Sequence, residues 1–232
     1  MTRETMGATA PSSEHSMNYH LSELLIARDP SAPGHVMPEI PAQARAILDV
    51  GCGAGQTLIA NDFPPGTIAY GVDPEIGALS LGKTLTSDVE FASAVAEHLP
   101  FASESFDFVL SRVALPYTNI PVAAREMARV LRPGGQVWLT LHPVSMAIRN
   151  LGQALRAKSA RRLVYAMYVL TNGLLLHFTG RQLAFPLGRR RFESVQTDRG
   201  ITKVLERAGF ADVRVRRSRF YVVTAAKRAS AV

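Results

Sequence analysis

Cysteine is almost absent from this chain of 232 residues: Cys52 stands alone. No intrachain disulfide can form, and no cage of cysteines can hold zinc. A reducing, cytoplasmic setting follows as the expectation. No low-complexity run is present, and 14 Pro and 17 Gly are ordinary numbers, so collagen-like and disordered classes are set aside. The amino terminus has Arg3 and Glu4 with no apolar run after them, which reads as no signal peptide. His, Cys and acidic residues show no metal-ligand spacing, so no metal is expected. What remains is a chain with 47% hydrophobic residues, enough at this length to bury about 70% of its unfolded surface.

Charge is uneven. The whole chain carries 26 Lys/Arg against 19 Asp/Glu, a net of +7. Residues 1–144 have 8 and 15, giving −7, whereas residues 145–232 have 18 and 4, giving +14. The basic part either keeps an apolar region in solution or meets an anionic partner: a membrane surface, an acidic substrate or nucleic acid.

Residues 1–15 lack periodicity and read as a disordered lead; 16–232 read as one domain. Leu21, Leu24 and Leu25 place a helix over Ser16–Arg28, stopped by Pro30, Pro33 and Gly34. Short apolar runs then alternate with helical stretches. Strands are expected at Ala46–Val50, Thr67–Val72, Val89–Ala92, Phe106–Leu110 and Gln136–Leu141. An amphipathic helix before the fifth strand turns Val122, Met127, Val130 and Leu131 inward and ends at Arg132-Pro133-Gly134-Gly135. Such alternation builds a parallel sheet covered on both faces. Ile201, Val204, Leu205 and Ala208 then mark a last helix, with Asp198 as N-cap and Gly209 as its stop. Asp212–Arg216 and Arg219–Ala225 read as an antiparallel hairpin. The fold class is therefore α/β, Rossmann-like, with seven strands, mostly parallel and ending in that hairpin. Residues 145–197 fall outside the repeat and read as a helical insertion.

The loop Asp49-Val50-Gly51-Cys52-Gly53-Ala54-Gly55 leaves a strand and enters a helix. Glycines there let the chain turn sharply and let a ligand approach the backbone. The spacing is G-x-G-x-G, not the G-x-G-x-x-G of dinucleotide sites, and this argues against a nicotinamide oxidoreductase. Asp73 ends the second strand, where a carboxylate can accept from a ribose diol or cap the helix that Pro74 and Glu75 begin.

With Gly71-Val72-Asp73, Ala96-Glu97-His98-Leu99-Pro100-Phe101, Ser105-Phe106-Asp107 and Arg129-Val130-Leu131-Arg132-Pro133-Gly134-Gly135, these segments resemble the class I S-adenosylmethionine-dependent methyltransferases, and within them the small-molecule and quinone-type branch. The resemblance covers about residues 40–143 and, in outline, the C-terminal helix and hairpin. It implies that Gly51, Gly53 and Gly55 pack against the methionine part of S-adenosylmethionine, with Asp49 towards its amino group. Asp73 would take the ribose hydroxyls, the Ala96 backbone the adenine edge, and Ser111 would lie beside the methionine moiety. The family usually has an acid before the Ala-Glu pair; here Val95 stands there, so the adenine site is less polar or Glu97 supplies the acceptor. Asp107 reads as structural, and Cys52 as a small loop filler.

Methyl transfer from a sulfonium needs alignment in a dry pocket, and a general base only where the acceptor must lose a proton. His142 and Tyr117, after the fifth and fourth strands, are the candidate catalytic groups; His20 and His177 are further candidates. In the insertion, Leu163–Leu176 is apolar apart from Thr171, Asn172 and Gly173. At about 21 Å as a helix it is too short for roughly 30 Å of hydrocarbon. Arg161, Tyr165, Tyr168 and Asn172 share one helical face, between Arg156, Lys158, Arg161 and Arg162 on one side and Arg189, Arg190 and Arg191 on the other. Either this is a substrate lid, with Tyr165, Tyr168, Asn172 and His20 meeting a hydrophobic acceptor and the cations resting on anionic lipid, or it is a plain helical subdomain or dimer contact. The leading expectation is a methyltransferase for a small hydrophobic acceptor. The alternatives are an RNA methyltransferase, against which no aromatic-interleaved basic sheet is found, and a cofactor-binding regulatory module without turnover.

Overall fold

Every β-branched or apolar run that the alternation marked becomes a strand. The computed structural model describes residues 13–186 and 191–229. In chain order, α1 (Ser13–Arg28) leads into β1 (Ala46–Val50), α2 (Gln56–Ile59), β2 (Ile68–Asp73), α3 (Ile76–Leu85) and β3 (Val89–Ser93). Next come β4 (Phe106–Arg112), a 3₁₀ turn at Leu115–Tyr117, α4 (Ile120–Val130) and β5 (Leu131–Leu141). The insertion contributes α5 (Val144–Arg156) and α6 (Ala160–Thr179); α7 (Asp198–Ala208), β6 (Phe210–Arg217) and β7 (Tyr221–Lys227) close the chain. The disordered lead read at 1–15 has its first twelve residues outside the described ones, as are Arg189 and Arg190; Ser13–His15 are already helical.

One seven-stranded sheet runs in the order β3-β2-β1-β4-β5-β7-β6. β1 pairs in parallel with both β2 and β4, and β4 in parallel with β5. β7 runs antiparallel between β5 and β6. The order reverses between β1 and β4, so the loops leaving those strands diverge and open a crevice at their C-terminal ends, the place where open α/β sheets bind ligands.

The pleat sends neighbours to opposite cores. Leu48, Val109, Val137 and Leu139 join Met127 of α4 and Ile201 and Leu205 of α7 on one face. Ile47, Phe108, Leu110 and Trp138 join Leu58 on the other. On α4 the inward residues are Ile120, Ala123, Ala124, Met127, Ala128 and Val130; Val122 is only half-buried, and Leu131, though buried, already belongs to β5. The cap of α7 also differs from expectation. Thr197 is the N-cap, its hydroxyl accepting from Gly200 N at 3.1 Å, while Asp198 pairs with Arg217 at 2.7 Å.

The insertion packs α5 on α6 around a small core of its own, Ala147, Val169 and Val195, with Tyr165 and Tyr168 against it. α6 has 20 residues, six more than the apolar run suggested, because Ser159 caps it at one end and left-handed Gly180 at the other. Length therefore no longer excludes a span; composition does. Among the described residues no helix is long and apolar enough to cross a membrane.

Candidate active site

The glycine loop is set by hydrogen bonds and contacts within the protein. Gly51 and Cys52 both donate to the Val72 carbonyl, at 2.8 and 3.0 Å, which pins the loop to the end of β2. Gly51, Gly53 and Gly55 have φ of 77°, 56° and 79°, all in the region that disfavours side chains. Their missing Cβ positions are also crowded: a methyl would lie 2.1 Å from Ala114 Cβ at Gly51, 2.9 Å from His20 Cε1 at Gly53 and 2.8 Å from Phe91 Cζ at Gly55. These glycines thus serve internal packing, beyond the ligand approach inferred from spacing alone. Cys52 is buried against Gly71, and burial beside Asp49 and Asp73 pushes its thiol well up; it is a filler, as read.

Two carboxylates flank the loop with different surroundings. Asp49 is fully buried, and its Oδ1 has no hydrogen-bond partner. Burial pushes its carboxyl up to about 7, with Asp73 adding to the rise and Arg112 opposing it. Asp73 accepts from Gly53 N at 2.9 Å through one oxygen and from Glu75 N at 2.8 Å through the other. Each oxygen retains a lone pair, so capping and diol recognition are compatible. His20, on α1, packs against Gly53 with Nδ1 2.7 Å from Gln56 Nε2, and its buried Nε2 has no hydrogen bond and lies 3.8 Å from Glu75 Oε2. It thus belongs to the glycine loop.

Val95 is 47% exposed on the turn that its carbonyl closes with His98 N, and Ala96 is buried beneath it. Glu97, offered as a replacement acceptor for adenine, accepts from Asn119 N at 2.7 Å through Oε1 at the start of α4, which leaves Oε2 without a bond from the described residues. Ser111 is fully buried and donates to the Val50 carbonyl at 2.8 Å, tying β4 to β1 just below the loop. Its hydroxyl is thus engaged with the backbone one residue before Gly51. Asp107 is structural as read. Against the upward pull of burial, the amides of Arg45 and Ala46 and the Arg132 guanidinium hold its carboxyl below the ordinary value.

Tyr117 and His142 come together. Their rings meet edge to face with centroids 5.2 Å apart, beyond the C-terminal ends of β4 and β5. Burial lowers the His142 pKa, so its imidazole is neutral at pH 7 and can accept a proton. Burial, with Glu193 and Tyr19 nearby, raises the Tyr117 hydroxyl, so it stays a phenol and is removed as a base. Val113, a β-branched residue between β4 and the 3₁₀ turn that carries Tyr117, stands at φ 64°. Its amide donates to Thr140 Oγ1 at 2.9 Å, and this bond holds a conformation that valine otherwise avoids.

The insertion's polar stripe is arranged differently from the expectation of an open lining. Asn172 donates to the Leu183 and Glu193 carbonyls at 3.2 and 2.9 Å and accepts from Leu183 N at 2.9 Å. The Tyr168 hydroxyl donates to the Leu183 and Arg191 carbonyls, and Tyr165 donates to Glu193. These three side chains tie α6 to Leu183, Arg191 and Glu193, and Asn172 is buried, so their polar groups are engaged within the protein. His177 bonds Thr197 Oγ1 at 2.7 Å at the α6–α7 joint, away from the strand ends, and is removed as a base. Sequence reasoning missed Arg112, whose ion pair with Glu23 at 3.1 Å joins α1 to β4, and Glu193 and Thr140. No motif marks these; only the fold brings them in.

Comparison with known proteins follows this geometry closely. A family model described as a methyltransferase domain matches residues 48–139, the span from β1 to β5. A demethylmenaquinone methyltransferase of Staphylococcus aureus is 30% identical over 187 residues, covering 73% of this chain and 69% of that protein. The chain belongs to the S-adenosylmethionine-dependent methyltransferase family. An uncharacterized methyltransferase of Bacillus subtilis, YodH, is 36% identical over 103 residues, 42% of this chain and 43% of the relative's own length. Among solved structures, a methyltransferase of Thermotoga maritima described as a possible histamine N-methyltransferase covers 92% of this chain and 91% of its own, at 18% identity and TM-score 0.52. Human N-acetylserotonin methyltransferase with bound S-adenosylmethionine covers 94% and 57%, at 12% identity and TM-score 0.57. These two show a shared fold.

The residues of this methyltransferase fit the family's cofactor. A buried carboxylate oxygen without a partner, on Asp49, suits a cationic amino group. A second carboxylate at the end of the neighbouring strand, Asp73, suits a diol. The two lie at the C-terminal ends of the adjacent strands β1 and β2, on the β1 side of the crevice.

Proposed function

We propose that the chain methylates a small, apolar acceptor at the sheet edge between β4 and β5, using S-adenosylmethionine. The observation that carries this reading is the Tyr117–His142 pair, a neutral imidazole against a phenol beyond the ends of those strands. When bound, the cofactor supplies an electrophilic methyl carbon on a positively charged sulfur. Asp49 and Asp73 hold its amino and ribose ends, and the glycine loop fixes their separation. His142 accepts the proton that a hydroxyl or an activated carbon acceptor must lose. Tyr117 orients the acceptor through its hydroxyl and its ring edge. Just after β4, Val113 and Ala114 leave apolar side chains at the surface, while Leu115 is buried in the core. The relative named for demethylmenaquinone supports an acceptor of quinone type.

The test compares wild type with His142→Ala and His142→Gln on a hydroquinone-type acceptor, with turnover read against pH. The alanine variant is expected to lose about 10²–10⁴-fold in turnover and to bind S-adenosylmethionine within about threefold of wild type, a difference under roughly 1 kcal/mol. Wild-type turnover should fall as pH drops through the lowered His142 pKa. Unchanged turnover in both variants would remove His142 as the base.

A further inference from the structure

The insertion presents a surface that the chemistry at the strand ends does not use. On α6 the buried residues Ala166, Val169, Gly173 and Leu176 recur at i, i+3, i+7 and i+10. Val164, Met167, Leu174 and Phe178 recur at i, i+3, i+10 and i+14 on the opposite side, and are 50%, 50%, 59% and 64% exposed. One face of the helix is core and the other is an apolar stripe in water, about four turns long. On α5, Ile148 and Leu155 stand seven residues apart, 60% and 57% exposed. Single exposed apolar residues are ordinary; a sustained stripe marks a contact surface.

The charge around it has one sign. Residues 144–181 contain Arg149, Arg156, Lys158, Arg161, Arg162 and Arg181 and no Asp or Glu. Among the described residues none of the six is in an ion pair. Arg161 and Arg162 begin α6, and at its far end Lys203 and Arg207 of α7 donate to the Phe178 and Thr179 carbonyls.

We infer that the outer face of α5 and α6 docks on an anionic phospholipid bilayer, lying in the interface with the stripe among the upper acyl carbons. Charge selects this occupant. A second copy would bring two uncompensated cationic surfaces together, and RNA could stack on Phe178 alone, leaving Val164, Met167 and Leu174 in water. A helix with an apolar face rimmed by basic residues, unable to span, is what an interface holds. Each basic residue near an anionic surface contributes about fivefold in affinity, and salt removes it. The inference rests on the apolar acceptor proposed above, which would partition into the same bilayer. α5 starts at Val144, two residues after His142, so the docking face is continuous in the chain with the site.

The test is sedimentation of the full chain with vesicles of phosphatidylcholine alone and of phosphatidylcholine mixed with phosphatidylglycerol. Binding is expected on the anionic vesicles only, and is expected to fall as salt rises. Leu174→Ser with Phe178→Ser should weaken it by about tenfold or more at an unchanged unfolding midpoint, and Arg161→Glu with Arg162→Glu should do the same. No binding, equal binding to both vesicle types, or variants that bind like wild type would overturn the proposal. So would a dimer in light scattering that the serine pair abolishes, or mixed RNA bound in preference to vesicles. Acceptor methylation read alongside separates the two readings. Product from detergent-dispersed apolar acceptor without vesicle binding sinks the docking alone, and vesicle binding with only water-soluble product upholds the docking and sinks the apolar acceptor.

Discussion

Gly51→Ala probes how the cofactor loop is held, and its cost can be worked out from two separate sources. The residue sits at φ 77°, where an L side chain costs about 1–2 kcal/mol. The new methyl would also lie 2.1 Å from Ala114 Cβ and 3.6 Å from its Cα, far inside normal carbon contact. The loop cannot retreat freely, because the amides of residues 51 and 52 are both fixed to Val72 O. Overpacking of this kind costs about 1–3 kcal/mol, so the total is roughly 2–5 kcal/mol. At about 2–4 °C per kcal/mol for a chain of this size, the midpoint should drop by about 10 °C. Gly66→Ala is the control: its φ is 78°, but nothing lies within 4 Å of the new methyl, so only the conformational part should appear. Adding Ala114→Gly to Gly51→Ala should recover the packing part and leave the loss seen in the control. The assay is thermal unfolding followed by circular dichroism, with S-adenosylmethionine affinity by calorimetry. A Gly51→Ala variant that melts with the Gly66→Ala control would refute the packing argument, as would an Ala114→Gly change that restores nothing.

Three further outcomes follow from single groups. Asp49 holds its proton up to about pH 7 in the folded chain, against an ordinary value of 3.8. Its contribution to stability is therefore complete below about pH 4 and lost as pH rises towards 7, and Asp49→Asn should flatten that slope in urea unfolding. By the same protonation, S-adenosylmethionine should bind more tightly on going from about pH 6 to about pH 8, and a flat affinity would contradict the pairing of Asp49 with its amino group. Asn172→Leu, at a buried position, takes the acceptor from the Leu183 amide and a donor from the Glu193 carbonyl, and should cost about 1–3 kcal/mol in urea unfolding; an unchanged midpoint would contradict its structural role. Thr140→Val removes the acceptor of the left-handed Val113 amide and should cost a similar amount, about 1–3 kcal/mol, while lowering turnover because Val113 sets the direction of the connection from β4 to Tyr117. Full activity in that variant would mean the strain at Val113 has no part in the site.

What could be read from the chain was what local chemistry decides. β1 begins and ends where its apolar run does, and the turn of the glycine loop was visible because it depends on residues a few positions apart. α4 instead ends at Val130, and residues 132–135, read as its stop, already belong to β5. Tyr117 and His142 were found from topology, since residues just beyond parallel strands reach the same edge. Two differences involve partners distant in sequence. The stripe Tyr165, Tyr168 and Asn172 was a real face, but helical spacing does not say what meets a face, and here Leu183, Arg191 and Glu193 do. Thr197 outcompetes its neighbour Asp198 as cap because Arg217, from β6, takes the carboxylate. The apolar run understated α6 because its ends are set by a serine and a glycine, which apolar content does not register.

The most direct test of the account is to follow the methyl group. The full chain is incubated with methyl-labelled S-adenosylmethionine and an extract of its source cells, and label is counted in the organic, aqueous and acid-precipitable fractions. The account predicts label in the organic phase, lost on His142→Ala. Label confined to the aqueous or precipitable fraction, or none despite cofactor binding in calorimetry, would contradict it.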